Sequence, residues 1–141
     1  KGRFQQIHKE DWILIDDTYN ANPSSFKSVL ENLNNMFPER RKIVVCGPMA
    51  ELGESSPDLH LQVGNTMVKC AVDKMYGLGG TEIEFYLEGW IKAGGKKKAA
   101  KHYKELAELV LSFKEDLHAG DVVLVKGSRS AKMEKFVSAM L

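Results

Sequence analysis

WILIDDTYNANPSSF, residues Trp12 to Phe26, decides how the rest of the chain is read. Its first half is an apolar, β-branched run closed by two acids, the pattern of a strand buried on both faces. Its second half starts a helix: Asn22 supplies a side-chain acceptor, Pro23 stands where no N–H is needed, and two serines follow. Phe26, Val29, Leu30, Leu33 and Phe37 then recur at three- and four-residue spacing, one apolar stripe of a helix. Strand, polar turn and helix in this order make the first unit of an α/β protein.

Working outward, the unit repeats. KIVVCG (Lys42 to Gly47), KMYGLGG (Lys74 to Gly80) and DVVLVKG (Asp121 to Gly127) read as further buried strands, and KAAKHY (Lys98 to Tyr103) as a weaker one. Helical stripes fill the gaps over Leu59 to Cys70, Glu82 to Ala93, Leu106 to Leu117 and Met133 to Leu141. GRFQQIHK, ahead of the first strong strand, adds an antiparallel edge strand by hairpin. The rhythm predicts an α/β sandwich on a mainly parallel sheet. At 141 residues the chain has the length of one domain, spanning 1–141. It opens on Lys1 and not on methionine, which fits a piece of something longer.

A net charge of +1 with histidines neutral disfavours a nucleic-acid-coating protein. No apolar run approaches the roughly 20 residues that cross a bilayer, so no membrane insertion is expected. Cys46 and Cys70 stand in apolar settings and read as buried small hydrophobes, not as a disulfide or a metal pair. His60 has no second histidine or cysteine at ligand spacing and is expected at the surface or its boundary, and no metal site is predicted. The chain contains neither GxxxxGK[ST] nor GxGxxG, so it cannot cradle a triphosphate alone. Nor does a G-x-S-x-G elbow point to a hydrolase.

Parallel sheets bind ligands beyond the carboxyl ends of their strands, and that rule gathers the unusual residues in one place. Asp16 and Asp17 end the first strong strand, GPMAELGE follows the second, Gly79 and Gly80 the third, and KGSRS (Lys126 to Ser130) the last. Lys126, Ser128 and Arg129 are expected around a second helix start, where an anion would fit. Asp17 either organises its turn with Asn20 and Asn22 or binds a ligand. Lys126 either snorkels from the strand end or holds an anion.

Four blocks, GRFQ (Gly2 to Gln5), DDTYNANPSS (Asp16 to Ser25), MAELGESS…LHLQVG (Met49 to Gly64) and VLVKGSRSAKME (Val123 to Glu134), resemble in order and spacing the C-terminal domain of the Mur ligases. YNANP and KGSR place the likeness on the branch that adds D-alanyl-D-alanine to UDP-N-acetylmuramoyl-tripeptide. The likeness covers the whole chain, with one departure: Pro48 stands where the family usually has aspartate. It implies a Rossmann-like three-layer sandwich, the third domain of a bacterial cytoplasmic ligase of peptidoglycan synthesis. The N-terminal and central ATPase domains, the latter carrying the phosphate loop and most contacts to ATP and Mg2+, are not in this chain. The resemblance also implies a reaction in which the tripeptide carboxylate is phosphorylated and the dipeptide amine attacks the acyl phosphate. By the same likeness Arg3 and Asp17, with Asp16 a lesser contact, reach the nucleotide. Tyr19, Asn20, Asn22, Glu51, Lys126, Ser128 and Arg129 are the candidate contacts to the dipeptide. No complete catalytic set lies in this chain, so it is expected to be inactive alone. Two other classes compete. A receiver-like signalling domain also carries an acid pair and a late lysine, but here the third strand ends YGLGG with no phosphoacceptor aspartate. A bare interaction module would leave Asp17 and Lys126 without a role.

Overall fold

A computed structural model describes residues 1–141. Six strands, β1 (Gln5–His8), β2 (Ile13–Asp17), β3 (Lys42–Cys46), β4 (Lys74–Leu78), β5 (Ala100–Tyr103) and β6 (Val122–Lys126), form one sheet in the order β1-β2-β6-β3-β4-β5. All neighbours are parallel except β1 and β2. The helices are α1 (Pro23–Met36), α2 (Ser56–Lys69), α3 (Thr81–Lys92), α4 (Leu106–Asp116) and α5 (Glu134–Met140). The strands, the edge hairpin and the five helices stand where the sequence predicts them.

The period-two alternation of the central strands divides the core into two layers. Ile13, Ile15, Val44, Cys46, Met75, Val122 and Leu124 pack with α1, α2 and α3 on one face. Leu14, Ile43, Val45, Tyr76, Val123 and Val125 pack with α4 and α5 on the other. Helices α2 and α3 cross so closely that a Cβ on Gly64 would stand 2.0 Å from the Tyr86 carbonyl oxygen, and one on Gly89 1.8 Å from that of Leu61. Only glycine admits that approach.

The strand order fixes where a ligand can enter. From β2 the chain steps outward through β3 and β4 to β5 with its helices on one face. It then returns by α4 on the other face to insert β6 between β2 and β3. At the carboxyl ends of β2 and β6 the chain therefore leaves toward opposite faces. Such a reversal opens a crevice at the sheet edge.

Candidate functional site

Asp17 and Lys126 are register partners on β2 and β6, directly beside that crevice. The Lys126 ammonium donates to Asp17 Oδ2 at 2.7 Å and to the Asn20 carbonyl at 3.0 Å, while Asp17 Oδ1 accepts the Phe4 N–H at 2.9 Å. The two side chains are only 15% and 3% exposed, and the ammonium lies 5.6 Å from the centre of the Phe26 ring. Lys126 is thus a buried ion-pair partner on a central strand. It does not snorkel, which corrects that reading of its sequence.

Asp16, one residue earlier, points to the opposite face. Its Oδ1 accepts both the Thr18 hydroxyl, at 2.7 Å, and the Thr18 N–H, at 3.2 Å. Asp16 lines an open cleft of about 290 Å3 with Lys1, Gly2, Thr18, Tyr19, Arg129 and Glu134. At its rim the half-exposed Tyr19 ring meets two guanidinium groups, Arg3 at 4.0 Å and Arg129 at 5.2 Å. The chain's first residues are tied to this rim: the Gly2 carbonyl accepts the Tyr19 N–H at 2.8 Å, and Phe4 adopts φ +48°. Three cations (Lys1, Arg3 and Arg129), an aromatic face and two carboxylates (Asp16 and Glu134) around one cleft suit a polar ligand with anionic groups and a ring or sugar.

The helix start read at Asn22 is built as expected. Asn22 Oδ1 accepts the Ser25 N–H at 2.8 Å and Ser25 Oγ accepts the Asn22 N–H at 3.1 Å, a reciprocal capping box with Pro23 in the first turn. That bonding engages the Asn22 oxygen. Asn20 is exposed, its backbone carbonyl holding Lys126.

The second helix start does not form where the sequence places it. After β6 the chain makes a three-residue 3-10 turn over Arg129–Ala131, passes through Lys132 at φ +53°, and only then enters the seven-residue α5. Ser128 is buried, its Oγ 3.1 Å from Ser130 Oγ, and its N–H donates to the Pro48 carbonyl at 3.0 Å. Arg129 alone of this trio reaches the cleft.

Glu51 is exposed on the loop after β3, in the left-handed region at φ +59°. His60 departs furthest from expectation, being wholly buried. Its Nε2 accepts the Met49 N–H at 3.0 Å and its Nδ1 donates to the Ser56 carbonyl at 2.7 Å. Desolvation holds its pKa below the ordinary 6.5, against the raising effects of the Ser56 carbonyl and Glu82. A sequence signal existed: His60, Val63, Gly64 and Met67 share one helical stripe, and all are buried. Thr18 and Phe4, which hold the two aspartates, carried no such signal. No three His, Cys, Asp or Glu side chains converge to hold a metal ion.

The model of the family described as "Mur ligase, glutamate ligase domain" matches residues 2–129. The chain belongs to the Mur ligase family. Among curated relatives it is 40% identical over 131 residues to the UDP-N-acetylmuramoyl-tripeptide–D-alanyl-D-alanine ligase of Buchnera aphidicola subsp. Acyrthosiphon pisum, covering 92% of this chain and 27% of that protein. With the Escherichia coli (strain K12) ligase of the same name it shares 33% over 133 residues, covering 93% and 27%. Among solved structures, MurF from Acinetobacter baumannii superposes with a TM-score of 0.84 at 29% identity, over 99% of this chain and 30% of that one. MurF ligase from Thermotoga maritima in complex with ADP gives 0.79 at 28%, over 97% and 30%. The chain therefore spans under a third of these Mur ligases. Within the family the receiver-like alternative has no place, and β4 indeed runs into Gly79 and Gly80 with no acidic side chain.

Proposed function

We propose that this chain is the C-terminal domain of an ATP-dependent amide-bond ligase. The reaction joins D-alanyl-D-alanine to UDP-N-acetylmuramoyl-tripeptide in the bacterial cytoplasm. The observation that carries the reading is the cleft at the β2/β6 crevice. Tyr19 and Arg129 line it with Asp16, Arg3 stacks on the Tyr19 ring, and Lys1 and Gly2 form part of the wall. A domain preceding Lys1 would bring its nucleotide to that wall.

In this reading the Arg3 guanidinium neutralises phosphate charge on the nucleotide and the acyl phosphate. Asp16 or Asp17 accepts ribose hydroxyls. Asp16 is the readier of the two, because both oxygens of Asp17 already have partners within the chain. Exposed Glu51 and Asn20 would receive the dipeptide ammonium, and Arg129 its carboxylate. Lys126, Ser128 and Asn22 shape the site from within. Mg2+ would be held by the phosphate-bearing domain, since no cluster of ligands for it converges here. The relatives that carry the dipeptide in their names, and the Thermotoga maritima relative solved with ADP, support the same assignment.

The test is product formation by the intact ligase. Wild-type enzyme should release phosphate only when tripeptide substrate and dipeptide are both present, and mass spectrometry should find the pentapeptide product. Arg129→Ala should lower kcat/KM at least about tenfold, equivalent to about 1.4 kcal/mol of transition-state stabilisation. Phosphate release indifferent to the dipeptide would overturn the assignment. The 141-residue chain alone should release none.

A further inference from the structure

The loop between β3 and α2 is held in an unusual way. Three successive residues at its start each give one backbone group to a different element: the Gly47 carbonyl accepts from the Tyr86 hydroxyl of α3 at 3.0 Å, the Pro48 carbonyl from the Ser128 N–H beyond β6, and the Met49 N–H donates to His60 of α2. The same imidazole reaches the loop's far end, where Nδ1 bonds the Ser56 carbonyl at 2.7 Å. One buried ring therefore closes both ends of the segment Ala50 to Ser55. Inside the closure lie Glu51 and Gly53, both in the left-handed region at φ +59°. A non-glycine residue holds that conformation only when its surroundings over-determine it.

We infer that His60 is the positioning residue for this loop: its neutral, Nδ1-protonated ring fixes the distance between Met49 and Ser56 and so aims Glu51 toward the incoming amine. The inference rests on the proposed reading of the site. The tautomer follows from the partners. A carbonyl can only accept, so Nδ1 carries the hydrogen; a backbone N–H can only donate, so Nε2 must be bare. A second proton on Nε2 would face the Met49 N–H donor to donor and open the closure at that end. The ionisable groups facing the ring are Tyr86, its centroid 4.9 Å away, and Glu82, both on α3; the helix of His60 itself offers only the Ser56 carbonyl and hydroxyl.

Two substitutions separate positioning from packing. His60→Gln puts an amide oxygen near the place of Nε2 and keeps the Met49 anchor, whereas His60→Asn reaches only the Nδ1 position and keeps the Ser56 bond alone. If the ring merely fills space, both cost similar stability and neither touches one substrate in particular. In the intact ligase, His60→Asn should raise the dipeptide KM at least about fivefold and leave the ATP KM within about twofold, with His60→Gln recovering most of the loss. Hydrogen–deuterium exchange over residues 47–55 should quicken in the asparagine variant and stay near wild type in the glutamine one. Wild-type dipeptide KM should also climb as pH falls below the ordinary histidine range, and the glutamine variant should lack that limb. Unchanged loop exchange in His60→Asn overturns the clamp. Quickened exchange with unchanged dipeptide KM, in an enzyme that makes the product, overturns the aim of Glu51. A wild-type enzyme indifferent to the dipeptide defeats the functional reading instead, while the exchange data still decide whether the ring closes the loop.

Discussion

The two ends of the sheet each carry a cluster of charge, and they are built to different rules. At the amino end Asp116 gathers three donors on one oxygen, Lys74 at 2.7 Å, the Tyr76 hydroxyl at 2.7 Å and Lys101 at 3.2 Å, all from regular elements. At the carboxyl end the Asp17–Lys126 pair is held by loop backbone, and the neighbouring Asp16 lines an open cleft on the other face. Backbone strain follows the same division. Of the four non-glycine residues with positive φ, Phe4, Glu51 and Lys132 lie at the carboxyl end, and only Ala71 at the other. One end is a fastening between finished elements, while the other holds groups in place at a conformational cost that packing alone does not require.

Breaking the carboxyl-end pair should have the largest effect. Lys126→Met leaves the Asp17 carboxylate largely buried and uncompensated, a loss of about 3–5 kcal/mol for such pairs. Adding Asp17→Asn should restore most of the melting temperature, because no unpaired charge then remains, yet ligase activity should stay low. Calorimetry and turnover on the same samples check this. A double variant recovering both would make the carboxyl end a fastening like the other.

The amino-end cluster should respond in stability alone. Asp116→Asn removes charge-assisted hydrogen bonds, but the carboxylate is about a third exposed, so the loss should be about 1 kcal/mol. Hydrogen bonds from Lys74 and Tyr76, with a smaller one from Lys101, hold the Asp116 carboxyl well below the ordinary 3.8 against the opposing effect of desolvation. A depressed folded value means the unfolded chain binds the proton first. The stabilisation is therefore present above about pH 4 and is lost as pH falls below it. Tyr76 titrates on the other side: burial, and then the Asp116 hydrogen bond, push its phenol well above the ordinary 10, so stability falls as pH rises past that value. Thermal melts across pH should show Asp116→Asn flattening the acid limb with kcat/KM unchanged. A loss of turnover comparable to that of Lys126→Met would erase the distinction between the ends.

What the sequence made legible divides along similar lines. The helix stripes and the Asn22 helix start are local, with partners within a few residues, and each buried strand is marked by its own apolar run even though its partners are distant; all stand as read. The Asp17–Lys126 bond joins residues 109 apart, and its burial follows only once β6 is inserted between β2 and β3, an order that no local pattern encodes. His60, expected at the surface or its boundary for want of a second ligand at metal spacing, instead shares the buried stripe of Val63 and Met67. Its bonds to the Met49 N–H and the Ser56 carbonyl go to backbone groups, which leave no mark in a sequence. The helix start expected at KGSRS falls later, at Glu134, because the left-handed Lys132 separates the Arg129–Ala131 turn from α5.

The smallest effect gives the finest discrimination. Ala71 follows the end of α2, where its N–H bonds the Val68 carbonyl and the Val72 N–H that of Met67, a closure that calls for a left-handed residue. Holding an L-residue there costs roughly 1–2 kcal/mol, while glycine adds about 0.5–1 kcal/mol of unfolded-state entropy, so Ala71→Gly should stabilise by about 0.5 kcal/mol. Glu51→Gly relieves the same strain and should gain a similar amount. The two part in function: Ala71→Gly should leave ligation at the wild-type rate, whereas Glu51→Gly removes the exposed carboxylate proposed to receive the dipeptide ammonium and should raise the dipeptide KM. Matched melting temperatures with diverging KM values would mean that the strain at Glu51 is kept for its side chain. Matched KM values would mean that left-handed residues at both ends of the sheet do no more than turn the chain.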